Sequence, residues 1–283
     1  MWRVCGEFCE ARGGALVWGS GAGSLPYAHM AKAGLSVLIV KSPEIAVDRV
    51  LAELTEAVAQ RPDAVISFDA GVTFEPMLKG VAQEVMNGRL AFDSLRATQP
   101  REFLGFGPKD PPGMAYELQR HCPPLRNLFQ DGRFLALPTE VSKQTLEEHE
   151  RKIAAAGGVA LQFLGLGSNG YVAGCEPGTP FHAGFDVVRL LDSTREQMRW
   201  RFRDQEPPTH VVTAGPKNIL EARRLVLLGS GRNKARIAAD MLEGPVGPAC
   251  PASLVRRHPS VLVVLDEEAG RLLDWPDSAP ATR

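Results

Sequence analysis

Apolar positions recur along the chain in two alternating periods. LSVLIV (35–40) is a continuous β-branched and aliphatic run of the kind that forms a buried strand. From 43 to 60 the spacing changes, and Val47, Val50, Leu51, Leu54 and Val58 fall on one face of a helix. AVISF (64–68) is a second strand; it runs into DAGVT (69–73), and a helix starts near Phe74. Further strands are expected within 159–167, 210–215, 224–231 and 260–268, and KARIAADMLEG (234–244) has a helical period closed by glycine. Strand and helix alternating in this way predict an α/β fold: a three-layer αβα domain around a doubly wound, mostly parallel sheet. The domain is expected over 35–270, after an extension at 1–34 and before a frayed tail at 271–283.

Ligands of such sheets bind beyond the carboxyl ends of the strands. Three segments there share one design. DAGVT, GLGSNG (165–170) and LLGSGRNKA (227–235) each leave a strand through glycine and small residues and approach a helix. Backbone N–H groups at such turns suit a phosphate, and Lys234 adds a positive charge. One glycine turn is merely how strand and helix connect; three in one sheet favour a phosphorylated ligand.

Composition narrows the partners. The hydrophobic share is 44% and the charged share 23%, ordinary for a globular domain. Lys and Arg total 32 against 33 acids, so the formal charge is −1 and no basic field points to nucleic acid or an anionic membrane. The five cysteines (5, 9, 122, 175 and 250) include only one close pair, without the further ligands of a zinc or iron–sulfur site. No apolar run reaches the ~18–20 residues of a membrane span. The first residues also lack a signal-peptide pattern, so a reduced, cytoplasmic protein is expected.

Six blocks in register resemble the family of glucosamine-6-phosphate deaminase and 6-phosphogluconolactonase. They are SFDAGVTFEPMLKGV (67–81), REFLGFGPKDP (101–111), FLGLGSNGYVAGCEPGTPF (163–181), VVTAGPKNILEAR (211–223), GSGRNKARIAADMLEG (229–244) and CPASLVRRHPSVLVVLDEEA (250–269). The resemblance implies a Rossmann-like fold and a sugar-phosphate substrate. It places Gly71, Val72 and Thr73 in the phosphate loop, Lys234 as the phosphate lysine, Arg199 or Arg201 as a second cation, and Glu176 as the acid of an N-E-P segment. Two catalytic positions depart. Arg101-Glu102 stands where the deaminases carry Asp-Glu, and Asn169-Gly170-Tyr171 stands where both activities use Asp-Gly-His.

Moving a proton between C1 and C2 of an open-chain sugar needs a base, a donor to the developing oxyanion and a grip on the phosphate. Glu176 and Glu102 are the candidate bases, with Glu176 alternatively a loop anchor and Glu102 alternatively facing away. Asn169 and Tyr171 are candidate donors, and Arg101 suits an extra anionic group. His182 is a candidate replacement imidazole or a solvated bystander, and Cys175 a small packing residue. The expected function is an enzyme of aldose–ketose isomerisation on a phosphorylated sugar or amino sugar, with or without deamination. A non-catalytic sugar-phosphate-binding module and a lactonase-like hydrolase of a sugar-acid phosphate are the alternatives. No DNA-reading segment precedes the blocks, so a complete repressor is not expected.

A separate signal lies at 13–41, where Gly19, Gly21 and Gly23 follow an apolar run, as in dinucleotide-binding domains. Ser24 replaces the third fingerprint glycine and Lys41 the ribose-binding acid. The expectation is therefore no cofactor and an extension that adds a strand, with a dinucleotide at these glycines as the alternative. The expected partner is a small sugar phosphate, with no nucleic acid and no membrane; self-association is left open.

Overall fold

The computed structural model describes residues 27–32, 34–202 and 205–274. Gly19, Gly21 and Gly23, with the dinucleotide alternative they carry, lie outside the described residues. In chain order the elements begin with β1 (Tyr27–Lys32), β2 (Leu35–Val40), α1 (Pro43–Gln60), β3 (Val65–Ser67), α2 (Glu75–Met86), β4 (Arg96–Thr98) and β5 (Arg101–Phe103). Next come α3 (Met114–His121), α4 (Pro123–Gln130), β6 (Phe134–Leu135), α5 (Lys143–Ala155), β7 (Val159–Gly165), β8 (Asp186–Arg189) and α6 (Asp192–Phe202). The chain continues through β9 (His210–Thr213), α7 (Pro216–Leu220), β10 (Leu225–Gly229), α8 (Ala235–Leu242), β11 (Val261–Asp266) and α9 (Glu267–Gly270).

Eight strands form the main sheet in the order β1-β2-β11-β10-β7-β3-β4-β6. All its pairings are parallel except that of the edge strand β1, which runs antiparallel to β2. Alternate residues of the central strands feed two cores, as a pleated strand buried on both faces requires. Ile66, Phe68, Leu161, Phe163, Val226 and Val264 pack on one face against Val50, Leu54 and Val58 of α1 and Met77, Leu78 and Val81 of α2. Leu164, Leu225, Leu227, Val263 and Leu265 pack on the other face with Ile237, Ala238 and Met241 of α8. The α/β sandwich expected from the alternation is therefore present, with helices on both faces.

One strand differs from the expectation. The run at 210–213 joins β5 and β8 in a separate antiparallel sheet, ordered β5-β9-β8. Val211, Val212 and Thr213 are fully buried there, so the run looks the same as a central parallel strand; apolar periodicity reports burial and does not name the pairing partner. Among the described residues no helix is long and apolar enough to cross a membrane.

Candidate functional site

The neighbouring order β10-β7-β3-β4 brings four loops to one edge of the sheet. After β3 the chain passes through Gly71, turns once as a 3-10 helix over Val72–Phe74 and enters α2. Gly71 has φ +148°, a backbone state that favours glycine. The N–H groups of Gly71, Val72 and Thr73 donate to no other described residue, while the Gly71 carbonyl accepts from Phe74 and Glu75. Three unused donors at the start of a helix form an anion-binding concavity. Lys234, at the start of α8, reaches across: its Nζ donates to Ser168 Oγ at 3.1 Å, on the loop after β7. Burial lowers the Lys234 ammonium from its usual range, so a nearby anion would stabilise its charged form.

Beside the Gly71 turn the edge is built around Arg101. Its Nε donates to Asp69 Oδ1 at 3.2 Å and its Nη2 to the Ala70 carbonyl at 3.2 Å. These contacts fix the guanidinium plane and leave Nη1 buried with no partner among the described residues. The guanidinium lies 5.1 Å from the centroid of the Tyr171 ring, and the Tyr171 hydroxyl is likewise buried and unpartnered. The two residues are 8% and 7% exposed, so both groups sit where protein electrostatics act with little screening. Gly167 sets the place of the ring: a Cβ there would lie 2.3 Å from Tyr171 Cδ1. Arg201 adds to the positive field. It donates to the Pro112 carbonyl at 3.3 Å, and burial and then Arg101 push its guanidinium down from its usual range.

The two glutamates are fastened to the backbone. Glu102 is 1% exposed, and its carboxylate accepts from the N–H groups of Phe103, Met114 and Ala115 and from Gln99 Nε2. Burial pushes the Glu102 carboxyl up to about 7, against the pull of those three backbone donors. In this position it joins β5 to the start of α3. Glu176 accepts from Leu191 N–H at 3.1 Å, Thr194 Oγ1 at 3.0 Å and Asn169 Nδ2 at 3.1 Å. It thereby ties the loop after β7 to the start of α6. Asn169 also receives the Tyr171 N–H on its Oδ1, so Glu176 positions Tyr171 through Asn169.

The remaining expected residues spread out. His182 is exposed on the turn after Pro180, with no hydrogen bond or ion pair to Glu176, Tyr171 or Arg101. Arg199 is engaged by Glu196 and Glu206 on the outer face of α6, whereas Arg201 faces the Arg101 region. Cys175 is buried and its thiol is pushed up to about 12 by burial, the state of an inert packing residue. Sequence reasoning did not single out Asp69, the carboxylate that orients Arg101. Its one visible signal was an acid at the end of a buried apolar run.

A family model described as glucosamine-6-phosphate isomerases/6-phosphogluconolactonase matches residues 43–264. The glucosamine-6-phosphate deaminase of Rhodopirellula baltica is 34% identical over 248 residues, covering 85% of this chain and 96% of that protein. That of Exiguobacterium sibiricum is 37% identical over 200 residues, covering 69% of this chain and 77% of its own. Among solved structures, a monomeric glucosamine-6-phosphate deaminase superposes with a TM-score of 0.77 at 26% identity, over 83% of this chain and 99% of its own. The 6-phosphogluconolactonase of Trypanosoma brucei shares the fold, with a TM-score of 0.66 at 17% identity, over 83% of this chain and 97% of its own. With matches of this extent in sequence and fold, the chain belongs to the glucosamine-6-phosphate isomerase/6-phosphogluconolactonase family.

Proposed function

We propose that the protein is an enzyme on a phosphorylated sugar or amino sugar, and that its reaction is aldose–ketose isomerisation, with or without loss of ammonia. The observation that carries this reading is the pair of buried, unpartnered polar groups, Arg101 Nη1 and Tyr171 OH, at the same sheet edge as an open phosphate cradle. Leaving such groups unsatisfied costs about 1–3 kcal/mol each, and a ligand oxygen would recover it. The phosphate sits on the N–H groups of Gly71, Val72 and Thr73 and on Lys234. The C1–C2 end then lies toward Arg101 and Tyr171. Proton transfer between these carbons places negative charge on an enediolate oxygen, which the fixed guanidinium stabilises. The Tyr171 hydroxyl delivers or removes a proton at that oxygen. Glu176, with three donors on about four acceptor sites, keeps one site to take the C–H proton from one carbon and return it to its neighbour. Glu102, filled by four donors, acts as a positioning residue.

The experiment is incubation with fructose 6-phosphate in D₂O, with and without ammonium, followed by NMR. Solvent deuterium is expected at C1 of the ketose or C2 of the aldose, and Tyr171→Phe is expected to slow exchange about a thousandfold with little change in KM. A second reading, a non-catalytic sugar-phosphate-binding module, is favoured by the engagement of Glu102 by four donors and of Glu176 by three. Saturable binding with no exchange would select it and reject the first.

A further inference from the structure

A cavity of about 100 Å³ lies between the sheet and helices α5 and α7. Ser67 of β3 and Gln162 of β7, paired across these parallel strands, contribute to its floor. They alternate with Ile66, Phe68, Leu161 and Phe163, which face α1 and α2, so the cavity is on the opposite face of the sheet. Gln99, just after β4, lies in the same lining, which also includes Thr98 and Asn218. All three residues are at most 3% exposed, and each has a side-chain atom without a partner: Ser67 Oγ, Gln99 Oε1 and Gln162 Nε2. Buried polar side chains normally find partners. Three failures lining one cavity amount to a set: a hydroxyl that gives or takes, a carbonyl that takes and an amide N–H that gives.

The rest of the lining decides what the set can hold. Ile153, Ala154, Phe185, Ala214 and Ala222 supply apolar wall, and the charged side chains are the carboxylates of Glu150 and Glu221. Glu150 is itself engaged by Lys217 Nζ at 3.0 Å and Asn218 Nδ2 at 2.8 Å. Among the described residues no cation lines the cavity, so an anion such as phosphate is disfavoured there, in contrast to the Lys234 and Arg101 edge. The volume is well above the ~10–15 Å³ one water needs.

We infer that this cavity is a second binding site, for a small neutral molecule carrying an acceptor and an N–H or O–H donor side by side, as a carboxamide does. The carbonyl of such a molecule accepts from Gln162, its N–H donates to Gln99, and an attached methyl meets the apolar wall. Gln99 also donates to Glu102 at 3.1 Å and stands two residues before Arg101. An occupant therefore bears on the segment that carries the guanidinium.

The test uses acetamide as the probe in ligand-observed NMR titrations of the full chain, with inorganic phosphate titrated in parallel. Saturable acetamide binding is expected, unchanged by saturating phosphate and weakened about tenfold in Gln162→Leu. Ser67→Ala, the milder change, is expected to weaken it about threefold and serves if the first variant does not fold. Absence of saturable binding, equal binding by the variants, or displacement by phosphate would overturn the inference. A crystal soaked in acetamide that shows only water in the cavity would overturn it too. The phosphate titration reports on the cleft separately, so either site can fail alone.

Discussion

The loops after β3 and β10 follow the same course and differ in what meets their first glycine. Each runs from a glycine of positive φ, Gly71 at +148° or Gly231 at +90°, through one 3-10 turn into an α-helix. The residues that begin those helices match closely, Phe74 at φ −95°, ψ −14° and Lys234 at φ −95°, ψ −12°. At Gly231 the anion is built in: the Asp266 carboxylate accepts from Gly231 N–H at 2.8 Å, from Ser230 Oγ at 2.6 Å and from Ala269 N–H at 2.7 Å. At Gly71 the same kind of turn keeps its N–H groups unused. One loop thus shows what the other is shaped to receive: oxygen atoms bearing negative charge. The first N–H of the Gly231 loop is met by the protein's own carboxylate, and on the proposed reading the Gly71 copy is left for a ligand.

That contrast can be broken most strongly at Lys234. Lys234→Met should lower affinity for a sugar phosphate about a hundredfold, measured by calorimetry, through loss of a charge-assisted contact. The unliganded variant should be no less stable than the parent. Burial lowers the Lys234 ammonium in the folded chain, so above that lowered value and below 10.5 the unfolded chain holds more protons and stability rises with pH. At neutral pH the charged lysine therefore costs stability that methionine does not. A fall in thermal midpoint without phosphate would contradict this assignment.

Asp266→Ala should do the reverse, costing about 2 kcal/mol in urea denaturation while leaving phosphate affinity unchanged, because it strips the carboxylate from the closed loop only. Next in size is the matched pair Gly71→Ala and Gly231→Ala. A Cβ at Gly71 meets nothing within 4 Å, and one at Gly231 only the Asn233 side chain at 3.2 Å. Each should cost about 1 kcal/mol through backbone strain, and only the first should weaken phosphate binding, roughly tenfold. The smallest effect is on pH: phosphate affinity should begin to fall below the pH at which an ordinary lysine titrates, and Lys234→Met should flatten that limb.

How much of this was legible in the sequence follows from where each interaction closes. The long apolar runs at 35–40, 159–165, 225–229 and 261–266 and the helical stripe at 43–60 carry their own period, and they appear as strands and helix. Short strands such as Arg96–Thr98, Arg101–Phe103 and Asp186–Arg189 carry too few residues and too many polar ones to be separated from loop. Glycine turns and Lys234 were visible because close backbone approach restricts residue type. The engagement of Glu102 and Glu176 was not, since their donors come from Met114, Ala115, Leu191 and Thr194, well away in sequence. Asp69 was hidden for the same reason: its partner Arg101 lies 32 residues on.

On the proposed reading, the open loop and the Arg101–Tyr171 pair hold opposite ends of one phosphosugar. A crystal structure with bound fructose 6-phosphate tests it most directly. The phosphate is expected on the N–H groups of Gly71, Val72 and Thr73 and on Lys234 Nζ, with the C1–C2 oxygens at Arg101 Nη1 and Tyr171 OH. A phosphate seated instead on Arg101 and Arg201, with the Gly71 loop empty, would contradict it.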